Sequence, residues 1–435
     1  MNDDAIQQSP FTDVRTDRTL TVIKRGLDVN VCFFSRTNYW QGIKGGMDIH
    51  GRTLTERMVE MGHCVSIIST RHPHGIDYEK KNGVSIYYLK NTVFGSRRKG
   101  WPGESVNQFY ELHYDKPFDI ILSQSFDAFG ITCLDRAELN IPVMLVLHGT
   151  IYQELKTFSV NIRSALRNPR KTVSGLAGMF FSYFMVQRPL LRFSDRIITV
   201  SREVSNDTQK WYGKKTFQKC VTILNGVNTA VFKPDIASRM AVRHELGLND
   251  TDTVLLTLGK IVHEKGHHIA IEALKILKER KHSLKLLVVG EGEKRHSLEK
   301  LADGYGLGQD VIFIGEVDNS KTVHYYNSAD IFLMTTLRRE GLPFVLLEAM
   351  ACAKPVIASR IGGNITVIED HENGLLIEPG DVVKTADNIQ MLLEDPGMSA
   401  RLSTAARKCI VEAFSADQMV DLTLQEMKTL VRDRL

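Results

Sequence analysis

Short apolar runs recur along this chain, each closed by glycine, proline or a polar residue. They alternate with stretches whose apolar positions repeat at helical spacing. The runs at 27–34, 64–70, 84–89, 118–123, 141–147 and 196–201 read as strands, with helices at 47–61 and 202–210 between them. A second series follows: strands over 253–258, 284–289, 311–314, 329–336 and 355–359, then helices over 382–393 and 398–413. Near-continuous apolar runs mark strands covered on both faces, and their alternation with helices predicts doubly wound parallel sheets. The last stretch, 415–434, carries Met419, Leu422, Leu424, Met427 and Leu430 as one helical stripe. The expected organisation is a polar, flexible leader over 1–25, a Rossmann-like domain over 26–213, a second over 214–413 and a closing helix over 414–435.

The densest pattern is Arg339-Glu340-Gly341-Leu342-Pro343-Phe344-Val345-Leu346-Leu347-Glu348-Ala349-Met350. It follows the apolar run over 329–336, so the order is strand, Gly/Pro loop, helix. Pro343 sits near the first helical turn, where its missing N–H costs nothing. Residues from Phe344 onward are good helix formers. The helix start around Gly341, Leu342, Phe344, Val345 and Leu346 presents free N–H groups and about half a positive charge, a seat for phosphate. Glu340 and Glu348 flank that seat. A carboxylate beside a phosphate is repelled, so the two suit neutral hydroxyls, those of a sugar and a ribose.

This block resembles the Glu-x7-Glu region of retaining family 4 glycosyltransferases. The continuation Ala351-Cys352-Ala353-Lys354-Pro355-Val356-Ile357-Ala358-Ser359, then Gly362-Gly363, extends the resemblance, which covers most of the chain from Val29 to Phe414. It implies the α/β GT-B fold, two Rossmann-like domains facing a central cleft, with the last helix returning to the first domain. It also implies roles. Gly45-Gly46, in the first glycine loop, would lie against the donor diphosphate. His148, where the strand over 141–147 ends, would contact the donor sugar. Lys265 would neutralise the diphosphate together with Lys260, which stands where the family has arginine and so keeps the charge without the bidentate fork. Glu340 would position the donor sugar and Glu348 the ribose. Asn225-Gly226-Val227-Asn228 is similar to the family's interdomain segment. Thr366 stands where the family usually has an acidic residue three positions after the glycine pair.

Composition narrows the partners. The 435 residues are 43% hydrophobic and 24% charged, with a net charge of +4. That is a globular composition, with no case for a dedicated nucleic-acid binder. Six scattered cysteines form no C-x-x-C pair and suit a reducing, cytoplasmic setting. Asp250-Thr251-Asp252 is an Asp-x-Asp sequence, but it precedes the strand over 253–258 and so lies away from the ligand edge of the sheet. It reads as a turn; no metal and no cofactor are expected. Residues 155–194 hold seven basic residues (Lys156, Arg163, Arg167, Arg170, Lys171, Arg188 and Arg192) and no acidic one, around an aromatic cluster. That suits peripheral contact with an anionic membrane or acceptor, or a long helix packed on its own domain. The expected activity is metal-independent, retaining transfer from a UDP- or GDP-sugar donor to a glycan, lipid-linked or small-molecule acceptor. A noncatalytic sugar-nucleotide scaffold and a nucleotide-sugar epimerase are the alternatives.

Overall fold

Strands buried on both faces need apolar side chains at successive positions. In the computed structural model, which describes residues 28–42, 45–153, 155, 169–249 and 251–434, the apolar runs assemble into two such sheets. The first contains β1 (Asn30–Phe34), β2 (Cys64–Thr70), β3 (Tyr78–Lys81), β4 (Val84–Leu89), β5 (Ile120–Gln124), β6 (Val143–Leu147), β7 (Arg196–Thr199) and β8 (Cys220–Thr222). Its spatial order is β3-β4-β2-β1-β5-β6-β7-β8. The second contains β9 (Thr253–Leu258), β10 (Leu284–Val289), β11 (Val311–Gly315), β12 (Ile331–Met334), β13 (Val356–Ser359) and β14 (Leu375–Ile377), in the order β11-β10-β9-β12-β13-β14.

Every neighbouring pair in both sheets is parallel except β3–β4, where Tyr78 sits opposite Tyr87. β3 is Tyr-Glu-Lys-Lys and largely exposed, so it carries no apolar run for a sequence pattern to detect. The chain leaves the first sheet later than the boundary at 213, because Cys220–Thr222 pairs with β7 as an edge strand. Strand order reverses on either side of β1 in the first sheet and of β9 in the second, and ligands bind at such switch points, at the carboxyl ends of the strands.

Two crossings join the halves, and they run side by side. The Val227 amide donates to the Phe414 carbonyl at 2.9 Å, and the Ala416 amide donates to the Val227 carbonyl at 2.9 Å. A Cβ on Gly226 would sit 2.2 Å from the Ser415 carbonyl oxygen, so only glycine permits this contact. The helix Ala416–Arg432 then returns to the first domain and buries Met419, Val420, Leu424 and Met427 in that domain's core. Arg57–Asp417 and Arg196–Glu426 ion pairs, at 2.8 and 3.0 Å, flank the contact. The leader over 1–25, Asp250, and the basic residues Lys156, Arg163 and Arg167 lie outside the described residues, as do the side chains of Arg170 and Lys171.

Candidate active site

The loop after β12 and the helix Phe344–Ala351 build the second domain's wall of the cleft. Pro343 occupies the N-cap with extended backbone, which turns the chain sharply into the helix. The first helical amides that return to a carbonyl are those of Leu346 and Leu347, both on Pro343. The amides of Phe344 and Val345 have no partner among the described residues. The helix start therefore offers two unpartnered amides where the sequence suggests a phosphate seat.

Lys265, from the loop after β9, reaches this wall. Its Nζ donates to both Glu340 carboxylate oxygens, at 2.7 and 2.9 Å. Burial alone would raise the Glu340 carboxyl, but the Lys265 ammonium outweighs it and holds the group below the ordinary carboxylate range. Lys260 is exposed, with no ionic partner among the described residues. Gly290 and Gly292, which look like half a dinucleotide loop, instead let β10's end pack on the 259–261 backbone. A Cβ on either would lie 2.0–2.2 Å from a carbonyl oxygen of Gly259 or Ile261.

Glu348 lies one turn deeper than Phe344 and is only 1% exposed. Tyr326 Oη donates to it at 2.8 Å and Asn319 Nδ2 at 3.2 Å. Burial pushes its carboxyl up to about 7, against those two hydrogen bonds. Of the Asp-x-Asp sequence, Asp252 lies at the amino end of β9, where its carboxylate accepts from the Asn249 amide at 2.7 Å.

The facing wall comes from the first domain. Gly46 opens the helix Gly46–Glu60, and a Cβ there would lie 3.6 Å from the Phe344 ring. Asp48 caps this helix start, accepting from the Gly45 amide at 3.2 Å and from Thr37 Oγ1 at 3.0 Å. Burial raises its carboxyl to about 6. His148 follows β6 and meets the ring of His50 edge-on at 4.7 Å. Burial, and then the neighbouring His50, hold His148 well below its ordinary range; burial also pushes His50 down to about 4. Both are neutral at pH 7, and His148 Nε2 and His50 Nδ1 are buried without a partner.

The walls press together most tightly at Gly341. A Cβ on Gly341 would sit 2.3 Å from the His148 carbonyl oxygen. Gly362 and Gly363 form the floor beneath that loop: the Gly363 amide donates to the Glu340 carbonyl at 2.8 Å, and a Gly363 Cβ would overlap the Gly341 carbonyl at 1.9 Å. The structure thus brings Gly46, His148, Lys265, Glu340, Gly341 and Phe344 together. Sequence reasoning missed His50, which sits on the helix after the glycine loop with no motif of its own. It also missed Arg339, whose guanidinium crosses to Glu203 at 2.7 Å and lies over the Tyr152 ring at 5.6 Å. Thr366, the departure from the family pattern, keeps its hydroxyl buried without a partner.

Two family models match in succession: Glycosyltransferase Family 4 over residues 44–231 and Glycosyl transferases group 1 over residues 238–409. The chain is 25% identical over 391 residues to an uncharacterised glycosyltransferase of Methanocaldococcus jannaschii, covering 89% of this chain and 95% of that one. It is 25% identical over 383 residues to N-acetyl-alpha-D-glucosaminyl L-malate synthase of Bacillus anthracis, covering 86% and 92%. Among solved structures it is similar to sucrose-phosphate synthase from Thermosynechococcus elongatus, with a TM-score of 0.77 at 22% identity over 93% of this chain and all of that one. HepE of Anabaena, solved in complex with UDP-glucose, superposes with a TM-score of 0.71 at 18% identity over 92% of this chain and all of that one. These likenesses at low identity carry the GT-B fold, and with the two successive family matches the conclusion is direct: the chain belongs to the family 4 glycosyltransferases, enzymes of hexosyl transfer.

Proposed function

We propose that this enzyme transfers a sugar from a UDP- or GDP-sugar to a glycan, lipid-linked or small-molecule acceptor, with retention of anomeric configuration and without a metal. The observation that carries the reading is the Lys265–Glu340 pair beside the partnerless Phe344 and Val345 amides, with Gly341 pressed on His148. The helix start and Lys265 supply positive charge where the leaving diphosphate would develop negative charge, and Lys260 adds more at the rim. Fixed charges and dipoles of this kind stabilise a leaving group in the way a divalent cation does. Lys265 already holds Glu340, which favours positioning of a sugar hydroxyl over nucleophilic attack by the carboxylate. The acceptor hydroxyl would then approach from the leaving-group side, with neutral His148 on a donor-sugar hydroxyl. Glu348 would take the ribose hydroxyls. A UDP-sugar donor is in keeping with HepE, whose structures hold UDP and UDP-glucose.

Incubation with UDP-glucose or GDP-mannose, with and without candidate acceptors, tests the reading. A transferase releases nucleoside diphosphate in step with an α-linked product, and excess EDTA leaves the rate unchanged. An intact donor under every condition points to a scaffold, a new sugar nucleotide to an epimerase, and loss in EDTA restored by Mn²⁺ overturns metal independence.

Peripheral contact with an anionic membrane is part of the same proposal. No helix among the described residues is long and apolar enough to cross a membrane. The stretch through the helices Pro169–Ser182 and Arg188–Phe193 exposes Phe180, Phe181, Phe184 and Met185, each more than half accessible. Arg188 lies beside Tyr183 and Phe184. Aromatic side chains next to guanidinium groups fit a lipid interface. Wild-type protein is expected to pellet with anionic vesicles at low salt and less at high salt. No pelleting at low salt overturns this part.

A further inference from the structure

The first domain's cleft edge holds a second charged cluster, away from the Lys265–Glu340 pair. Arg36 follows β1, Arg71 follows β2, Arg97 lies in the loop after β4, and Asp127 follows β5. All four stand at the carboxyl edge of the parallel sheet, the ligand edge, as does His148. Asp127 is almost fully buried, and it organises the group. Trp101 Nε1 donates to its carbonyl at 2.8 Å, which fixes the backbone. Its carboxylate takes Arg36 Nε at 2.6 Å, the Arg36 amide at 3.0 Å and Arg97 Nε at 3.4 Å. Arg36 Nη1 is held by the Gly95 carbonyl.

One carboxylate therefore positions two guanidiniums. Arg36 Nη2 and both terminal nitrogens of Arg97 have no partner among the described residues, and the two side chains remain 19% and 27% exposed. A pair placed only to neutralise a buried aspartate needs one arginine. Asp127 acts electrostatically on Asp48, which caps the Gly45 loop, so the cluster adjoins the place proposed for the donor. Asp48 is itself committed to Thr37 and Gly45. Exposed Arg71 and Arg98 add positive charge on the same edge with no ion pair among the described residues, and Arg98 lies over Phe181 of the aromatic stretch at 5.7 Å.

We infer that Arg36 and Arg97 form the seat of an oxyanion, a phosphate or carboxylate, carried by the acceptor. Two preorganised guanidinium edges suit bidentate capture of such a group. The inference rests on the transferase reading, because it takes the facing site to be the donor's.

The test uses full-length protein saturated with UDP, so that added anion cannot occupy the donor loop. Inorganic phosphate is titrated while 31P line width and melting temperature are followed. Phosphate is expected to bind and to raise the melting temperature; Arg97→Gln and Arg36→Gln are each expected to weaken it about tenfold, with UDP affinity unchanged. Arg97→Lys, which keeps the charge, is expected to recover part of the loss. Glycerol, glycerol 3-phosphate and short-chain phosphatidic acid form the second arm. Equal binding of the last two assigns a free phosphate group, while preference for the lipid assigns a headgroup and its chains. Phosphate binding that both glutamine variants leave intact, or none at all with UDP bound, overturns the inference. If UDP fails to bind but phosphate still depends on Arg97, the anion site stands and the donor assignment falls.

Discussion

On the second domain's side of the cleft, the acidic side chains are engaged before any ligand arrives. Glu340 is bound by Lys265, Glu348 by Tyr326 and Asn319, and the 340–342 loop rests on Gly362 and Gly363. The first domain's side is unfinished. His148 Nε2, His50 Nδ1 and Thr150 Oγ1 are buried without partners, Arg36 and Arg97 have free guanidinium edges, and exposed Phe181 lies under Arg98. Buried polar atoms are ordinarily paired, and each unpaired one costs about 1–3 kcal/mol. The contrast separates two tasks. On the proposed assignment, a nucleotide diphosphate presents the same groups to many enzymes, so the carboxylates that meet it can be fixed in advance. On the same assignment an acceptor differs from enzyme to enzyme, and the first domain's side is left for it to complete.

The most severe test of this contrast removes the cation that holds Glu340. Lys265→Ala is expected to lower kcat about 10²–10³-fold, the usual loss when a preorganised charge at a developing anion is deleted. It also leaves Glu340 without its counter-charge, so the fall should exceed that for Lys260→Ala, whose ammonium is exposed. Steady-state kinetics with a saturating donor checks this. Equal losses in the two variants would erase the distinction between a wired and a rim lysine.

Next in size is the contact between the halves. Gly341→Ala places a methyl group 2.3 Å from the His148 carbonyl, so the walls must part by about an ångström. Misplacement on that scale can cost about 10²-fold in rate. UDP affinity should be nearly unchanged, because the proposed nucleotide seat lies within the second domain. A parallel loss of UDP binding would mean that the donor site spans both walls.

Glu348 gives a smaller effect with a pH signature. Glu348→Ala is expected to weaken UDP binding by about 1.5–3 kcal/mol, the range for a hydrogen bond to a charged group. In the wild type its carboxyl titrates near 7, and only the carboxylate accepts two ribose hydroxyl protons. UDP binding should therefore tighten as pH rises through about 7, and Glu348→Gln should flatten that rise. Stability runs the other way. The folded group is raised above the unfolded value of about 4.3, so its contribution is complete below that pH and is lost as pH rises through about 7. Calorimetric titration and thermal melts across that window check both signs.

The apolar strands were legible in both halves. Strands β2, β4, β9 and β10 fall on the residues their apolar runs predict, because parallel strands covered on both faces leave an unbroken apolar signature. The loop and helix around Glu340 were legible for a similar reason: glycine, proline and helix formers in order determine the local path. What stayed hidden depends on approach between distant segments. His50 meets His148 across 98 positions of sequence, and β3 and β8 are short, half-exposed edge strands. Glu348 was read as a ribose ligand without Tyr326 and Asn319, since nothing in the spacing says which hydroxyl or amide will fold over a carboxylate.

Arg339 offers the gentlest test. It sits beside Glu340 but points across the cleft, donating to Glu203 at 2.7 Å, 3.9 Å from Asp207, over the Tyr152 ring. Tyr152 stacks on Trp211 at 5.0 Å, so the guanidinium is docked on a preformed aromatic shelf of the first domain. The pair is 22% and 20% exposed, and such partly solvated ion pairs contribute about 1 kcal/mol or less. Its importance is then in register: it holds the loop bearing Glu340 at a fixed distance from His148. Arg339→Gln is expected to lower kcat less than tenfold while leaving UDP binding and the KM for donor unchanged. Arg339→Lys keeps a charge on Glu203 but loses the flat face over Tyr152, and should fall between wild type and glutamine. A rise in donor KM with kcat untouched would place Arg339 on the donor instead of in this register role.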